Sequence, residues 1–232
     1  MSDRFMLDAQ RGQWERALTE RADRFGVEPS APAQEAATLF EREGVRRLLE
    51  LGGGQGRDSL FFARHGFEVQ VLDYSASGVE AIARKANEDG FGGRVSARQF
   101  DVREPLPFAE DSFDGCFSHM LFCMALTLAE LDTLSAEVRR VLRPGGLHVY
   151  TARTTDDPDC GKGVHHGEGL YEQGGFIVHF FDEQTIERLA DGYELVEVAR
   201  FEEGPLPRRL VRVTLRKPVG GRLSKTAGVP RS

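Results

Sequence analysis

The stretch Leu48-Leu49-Glu50-Leu51-Gly52-Gly53-Gly54-Gln55-Gly56-Arg57 decides how this chain is read. The short run Arg46–Leu51 (RRLLEL) reads as a β-strand, and Arg57–His65 reads as the helix behind it. A glycine loop between a strand and a helix is where an open α/β sheet holds its ligand. The spacing narrows the choice of ligand. A dinucleotide fingerprint starting at Gly52 requires glycine or alanine at position 57 and finds Arg57, and a P-loop requires Gly-Lys-Ser/Thr where Gly56-Arg57-Asp58 stands. What remains is acid-x-G-x-G-x-G, led by Glu50. A carboxylate there repels a pyrophosphate and suits an ammonium-bearing ligand.

Downstream, β-like runs alternate with helical ones, as in a parallel sheet with crossover helices. Phe67–Leu72, Val95–Phe100, Phe113–Ser118 and Leu147–Ala152 read as strands, with a helix over Ser75–Glu88 and two helical stretches between Met120 and Leu142. Pro144-Gly145-Gly146 reads as a turn into the fifth strand. Residues 153–181 form a long insertion, Asp182–Ala190 a short helix, and Tyr193–Phe201 with Leu210–Arg216 a closing hairpin-like pair. Upstream, a helix over Asp8–Arg24 puts Trp14, Ala17, Leu18 and Ala22 on one face, Pro29-Ser30-Ala31-Pro32 interrupts, and a second helix covers Ala33–Arg42.

Two more carboxylates lie at strand ends. Asp73 follows the second strand, 21 positions after Gly52, where an acid accepts hydrogen bonds from both ribose hydroxyls. Asp101 follows the third, and Asp101-Val102 could receive an exocyclic adenine amine and pack on its ring. Three strand-end acids around a glycine loop point to an adenosine ligand with a cationic tail and no phosphates.

These residues resemble a class I S-adenosylmethionine-dependent methyltransferase from Val45 to Lys217. ELGGGQG is similar to that family's first motif, Asp73-Tyr74 to its ribose acid with an adenine-packing neighbour, and Phe100-Asp101-Val102 to its adenine motif. Asp111-Ser112-Phe113-Asp114 resembles the D-x-F-D entry to strand four, and Val141-Leu142-Arg143-Pro144-Gly145-Gly146 the L-x-P-G-G turn. Gly56-Arg57-Asp58-Ser59-Leu60 with Gly66-Phe67-Glu68-Val69 is similar to the small-molecule branch that holds thiopurine and tellurite methyltransferases.

The resemblance implies an α/β fold: a Rossmann-like, mostly parallel seven-stranded sheet with helices on both faces and an antiparallel C-terminal strand pair. It implies S-adenosylmethionine as cofactor, with Glu50, Gly52, Gly54 and Gly56 at its methionine part, Asp73 and Tyr74 at the ribose and adenine, and Asp101 and Val102 at the adenine. Residues 1–44 are expected to be a helical lid, 45–217 the cofactor-binding domain with 153–181 at the acceptor, and 218–232 a disordered tail.

The acceptor side is less defined. His119 closes the fourth strand and reads either as a general base or as a polar wall of the pocket. Trp14 reads as stacking on the acceptor or as core packing, and His179 as an acceptor-site group or a structural contact. Adjacent His165-His166 lacks metal-ligand spacing, and no metal is expected. Cys116, Cys123 and Cys160 include no C-x-x-C, so neither disulfides nor a zinc knuckle are indicated, and they read as small hydrophobes before a metalloid-binding set.

Charge and hydropathy bound the partners. From Pro207 onward there are eight basic residues and no acidic ones, so the net −7 of the chain is −15 over residues 1–206. Such a body disfavours nucleic acid. No run nears the ~18 apolar residues of a membrane span, and the N-terminus lacks a signal-peptide core. A small soluble acceptor and a cytoplasmic setting are therefore expected, with methyl transfer the first reading and a non-catalytic cofactor-binding module the alternative.

Overall fold

A computed structural model describes residues 3–21, 23–204 and 208–220. Helices α1 (Asp3–Glu20) and α2 (Ala31–Arg42) precede an alternating series: β1 (Arg47–Leu51), α3 (Arg57–Arg64), β2 (Glu68–Asp73), α4 (Ala76–Glu88) and β3 (Val95–Gln99). After β4 (Phe113–His119) come α5 (Leu128–Val141) and β5 (Leu142–Arg153). The insertion holds β6 (Val164–His165), β7 (Leu170–Gln173) and β8 (Phe176–His179), followed by α6 (Glu183–Leu189), β9 (Glu194–Glu203) and β10 (Arg208–Arg216).

Seven strands form one sheet in the order β3-β2-β1-β4-β5-β10-β9. The first five are parallel, and β10 runs antiparallel to both β5 and β9. This is the Rossmann-like sheet with its antiparallel C-terminal pair. The chain winds outward from β1 in both directions, so a topological switch point lies between β1 and β4, and ligands of open α/β sheets bind at the carboxyl ends there.

Period-2 patterning explains why the sheet is covered on both faces. Leu48, Val69, Val71, Phe117 and Val149 face a layer built by Ala33, Ala37 and Phe40 of α2, Phe62 of α3 and Ile82 of α4. Their neighbours Leu49, Leu72, Cys116 and Tyr150 face the opposite layer, with Leu131, Leu134 and Val138 of α5. Phe62 anchors the first layer, its ring 5.0 Å from Phe117 and 6.3 Å from Phe40.

Several boundaries differ from the sequence reading. The first helix runs Asp3–Glu20, shifted toward the N-terminus, and buries Ala17 and Leu18, while Ala22 lies outside the described residues. Helix α2 starts earlier because Ser30 caps it by accepting the Ala33 N–H and Pro32 sits in the first turn, where a missing N–H costs nothing. Between Met120 and Leu142 there is one helix, α5, opened by a capping box of Thr127 and Glu130. The turns before it are held from outside: Thr151 Oγ accepts the Met120 N–H and the Cys123 carbonyl accepts the His179 N–H. Those groups therefore do not close a helix of their own.

The insertion is also more regular than a loop. Gly174 and Gly175, both at positive φ, form the two-residue turn of the β7–β8 hairpin, with Gln173 opposite Phe176. Of the expected tail, residues 221–232 lie outside the described residues.

Candidate functional site

The glycine loop crosses the carboxyl end of β1 at the switch point. Gly52 has φ 78°, and a Cβ there would lie 2.8 Å from Leu121 Cδ1. Gly56, at φ 88°, starts α3, and a Cβ would lie 2.9 Å from Ile82 Cγ1. Both positions combine a left-handed backbone with a close approach, so glycine is required twice over. Gly53, not marked in the sequence, is equally constrained because a Cβ would run into Val71. Gln55 locks the loop to the N-terminal segment: its Nε2 donates to the Leu18 and Arg21 carbonyls at 2.8 and 2.9 Å, and its Oε1 accepts the Arg24 N–H.

Two of the predicted acids converge on this loop. Glu50 is 3% exposed and accepts the Ser59 hydroxyl hydrogen at Oε2. Burial, reinforced by the charges of Asp58 and Asp73, pushes its pKa up to about 8. Asp73 is 5% exposed, and its two oxygens accept the Gly54 and Ser75 N–H groups at 2.8 and 2.9 Å. Burial still lifts it to about 6 against those hydrogen bonds. Neither acid makes a salt bridge among the described residues, so the pocket holds buried carboxylates that lack a cation. That electrostatic deficit fits a ligand with an ammonium group and a pair of hydroxyl donors.

The other predicted positions are placed less simply. Asp101 is not bare: Arg103 clamps it bidentately, Nε to Oδ1 at 3.0 Å and Nη2 to Oδ2 at 2.6 Å. Burial alone raises the Asp101 pKa, but the guanidinium outweighs it and the net shift is downward. Arg103 also reaches Asp8 of α1 at 2.8 Å, so α1 is pinned to this strand end. Val102 packs half-buried against the core. Tyr74 is half-buried, and its backbone carbonyl accepts from Gln99 Nε2.

Trp14 of α1 lies 4.6 Å from the Phe176 ring and 6.3 Å from Phe25. Phe25 in turn approaches the Gly54 Cβ position to 3.7 Å, so this aromatic group roofs the glycine loop. Gln10 ties the same helix to β8, donating to the Gly175 carbonyl and accepting the Ile177 N–H. His179 is 1% exposed, with Nδ1 2.8 Å from the Leu126 carbonyl. It fastens the insertion to the turn after β4 and is not open to an acceptor. His165 stacks on Tyr171 while His166 pairs with Glu172, so the adjacent histidines turn to different partners. Burial raises all three cysteine thiols, Cys123 to about 11, which leaves them protonated at neutral pH.

His119 stands at the carboxyl end of β4, on the same edge as Glu50. Its Nδ1 lies 2.9 Å from Thr151 Oγ and its Nε2 3.4 Å from Glu203 Oε1. Sequence reasoning missed Arg103, Thr151 and Glu203. Arg103 was within reach, directly after the adenine motif, but Glu203 approaches His119 only through the folding of β9 onto the sheet.

Residues 48–146 match a family model described as Methyltransferase domain. Among curated proteins, the 24-methylenesterol C-methyltransferase 2 of Oryza sativa subsp. japonica is 30% identical over 150 residues, covering 59% of this chain and 39% of the relative. The chain spans less than half the length of the first curated relatives it matches. Of solved structures, the 1,6-didemethyltoxoflavin-N1-methyltransferase of Burkholderia thailandensis, with S-adenosylhomocysteine bound, superposes with a TM-score of 0.72 at 19% identity, covering 94% of this chain and 91% of that one. TehB from Haemophilus influenzae superposes with a TM-score of 0.65 at 16% identity, covering 88% and 67%.

The glycine loop and strands β2, β3 and β4 lie within the stretch that matches the methyltransferase-domain model, and the fold is that of the S-adenosylhomocysteine-bound methyltransferase on which the chain superposes. S-adenosylmethionine carries an ammonium group and ribose hydroxyls, donors of the kind that buried acids such as Glu50 and Asp73 can accept.

Proposed function

We propose that this protein transfers a methyl group from S-adenosylmethionine to a small acceptor. The observation that carries the reading is the pair of buried acids, Glu50 and Asp73, which make no salt bridge among the described residues and lie beside the glycine turn at the switch point. In this reading Glu50 takes the amino group of the cofactor's methionine part, the loop backbone at Gly52, Gly54 and Gly56 follows that part closely, and Asp73 takes the ribose. Tyr74, Val102 and Asp101 flank the adenine, Asp101 with its carboxylate held in place by Arg103. The bound cofactor supplies an activated methyl on a sulfonium, and the protein's task is to hold an acceptor in line and keep water out.

Residues 1–44 act as a lid over this site. The support is the set of ties from α1 and its connection to the rest: Gln55 to Leu18 and Arg21, Gln10 to β8, and Trp14 on Phe176. The insertion, residues 153–181, forms the acceptor wall opposite. The acceptor in this reading is of small-molecule size, and the acidic body argues against a nucleic acid. No described helix is long and apolar enough to cross a membrane.

Calorimetric titration with S-adenosylmethionine and S-adenosylhomocysteine tests the cofactor assignment. Asp73→Ala is expected to weaken binding by about 1–3 kcal/mol through lost hydrogen bonds. Unchanged affinity would sink the ribose placement. Binding without transfer to any acceptor in a labelled-methyl screen would favour the non-catalytic module.

A further inference from the structure

Strand β9 runs in the same direction as β5, so its last residue, Glu203, reaches the sheet edge where β4 ends in His119. The two side chains meet there, Nε2 to Oε1 at 3.4 Å, with His119 12% and Glu203 30% exposed. The other ring nitrogen is committed to Thr151, whose Oγ also accepts the Met120 N–H at 2.9 Å.

That geometry limits what the histidine can do. With Nε2 carrying the proton, the ring turns that N–H toward Glu203 and its Nδ1 lone pair toward the Thr151 hydroxyl. A doubly protonated ring has no lone pair at all. The remaining tautomer would aim an Nε2 lone pair at a carboxylate, which is repulsive. In neither favourable state does a basic nitrogen point into the site, so His119 is a positioning residue and does not take the acceptor's proton.

Glu203 stays partly exposed at this edge, beside the end of β4. The hydrogen bond from His119, helped by the charges of Arg57 and Arg208, holds its pKa below the usual carboxylate range despite burial. A carboxylate held this acidic is a poor base for a phenol or alcohol, and it repels thiolates and oxyanions. It suits a nucleophile whose deprotonated form, reached by loss of a proton to solvent, is neutral, and which becomes positive as it reacts.

We infer that the acceptor is an amine, held by the Glu203 carboxylate, which His119 and Thr151 orient. The inference rests on the methyltransferase reading above and names the substrate class of that same site. The acceptor nitrogen, entering as the free amine, uses its lone pair to form the N–C bond as the C–S bond breaks with its electron pair remaining on sulfur. The positive charge passes from sulfur to nitrogen beside Glu203, where the carboxylate stabilises it. The product leaves as an ammonium ion and returns its extra proton to solvent.

The test is a labelled-methyl screen of primary, secondary and aryl amines beside phenols, thiols, carboxylates and tellurite. It uses wild type, Glu203→Gln, Glu203→Asp and His119→Asn, with thermal melts and S-adenosylhomocysteine affinity measured on each. Amines are expected to dominate. With cofactor affinity unchanged, Glu203→Gln should lower kcat/KM on them by about 10- to 100-fold, and Glu203→Asp should restore part of it. His119→Asn should give a smaller loss without removing a pH limb from the rate profile.

Transfer confined to phenols, thiols or oxyanions overturns the amine assignment, as does a Glu203→Gln change under about threefold. So does transfer to no acceptor while the cofactor still binds. Should wild type bind neither form of the cofactor, the methyltransferase reading itself fails.

Discussion

The two sides of the site are built by opposite means. The proposed cofactor side is local: Glu50, Gly52, Gly56 and Asp73 fall within 24 consecutive positions on two adjacent strands and the loop after the first, and each is fixed by neighbours such as Ser59, Ser75 and Ile82. The proposed acceptor side is assembled from distant pieces: Trp14 meets Phe176, Gln10 meets Gly175 and Ile177, and His119 meets Glu203. Local construction keeps a shared cofactor site intact, whereas long-range construction lets the acceptor wall change with little cost to the sheet.

If that contrast holds, damage to one side should spare the other. The largest effect is expected at Arg153, 8% exposed, whose guanidinium pairs with buried Asp157 through Nε at 3.0 Å and Nη2 at 2.5 Å. Asp157 also accepts the Arg209 N–H, so it joins the root of the insertion to β10. Asp157→Ala should cost roughly 3 kcal/mol in chemical denaturation, because a buried cation loses its main partner. Methyl transfer should fall further than cofactor affinity, and an equal loss of both would break the contrast.

Glu50 offers a sharper probe of the cofactor side. Its folded pKa, about 8, lies above the usual carboxylate value, so the folded protein holds a proton that the unfolded chain has already released. The associated stability is present at low pH and declines as pH rises from the unfolded value through about 8. Asp73, raised to about 6, acts in the same direction over a lower window. An ammonium docked on Glu50 reverses the shift, so cofactor binding at pH 7 should release close to one proton. Calorimetry in buffers of different ionisation enthalpy reads this directly. Glu50→Gln should abolish most of that release and flatten the stability decline toward pH 8, and a wild type that releases no proton would remove Glu50 from the ammonium site.

The smallest effect is expected at Trp14. Trp14→Ala removes one close aromatic partner, worth about 0.5–1.5 kcal/mol beyond buried area. Its signature is a raised KM for the acceptor with a modest change in cofactor affinity, visible in steady-state kinetics. A collapse of cofactor binding would instead make α1 part of the cofactor cradle.

Legibility in the sequence followed the same divide. Strand positions and the glycine loop were readable because each depends on period-2 patterning or on a backbone that only glycine tolerates. The Gly174-Gly175 turn was equally readable as a hairpin signal between Gln173 and Phe176, and the sequence reading left it inside an undivided insertion. The expected helix after Met120 failed for a reason no local pattern carries: the Met120 N–H bonds to Thr151 and the Cys123 carbonyl to His179, both far along the chain.

The sequence by itself determined the class of sheet, the switch point at β1 and the identity of the acids around it, since these follow from short-range spacing. Tertiary structure alone decided that Asp101 is clamped by Arg103, that His179 is sealed inside, and that His119 faces Glu203 across the folded sheet edge. Burial and ion pairing are properties of groups brought together from distant positions, and nothing in the spacing of His119 announces a carboxylate 84 residues away.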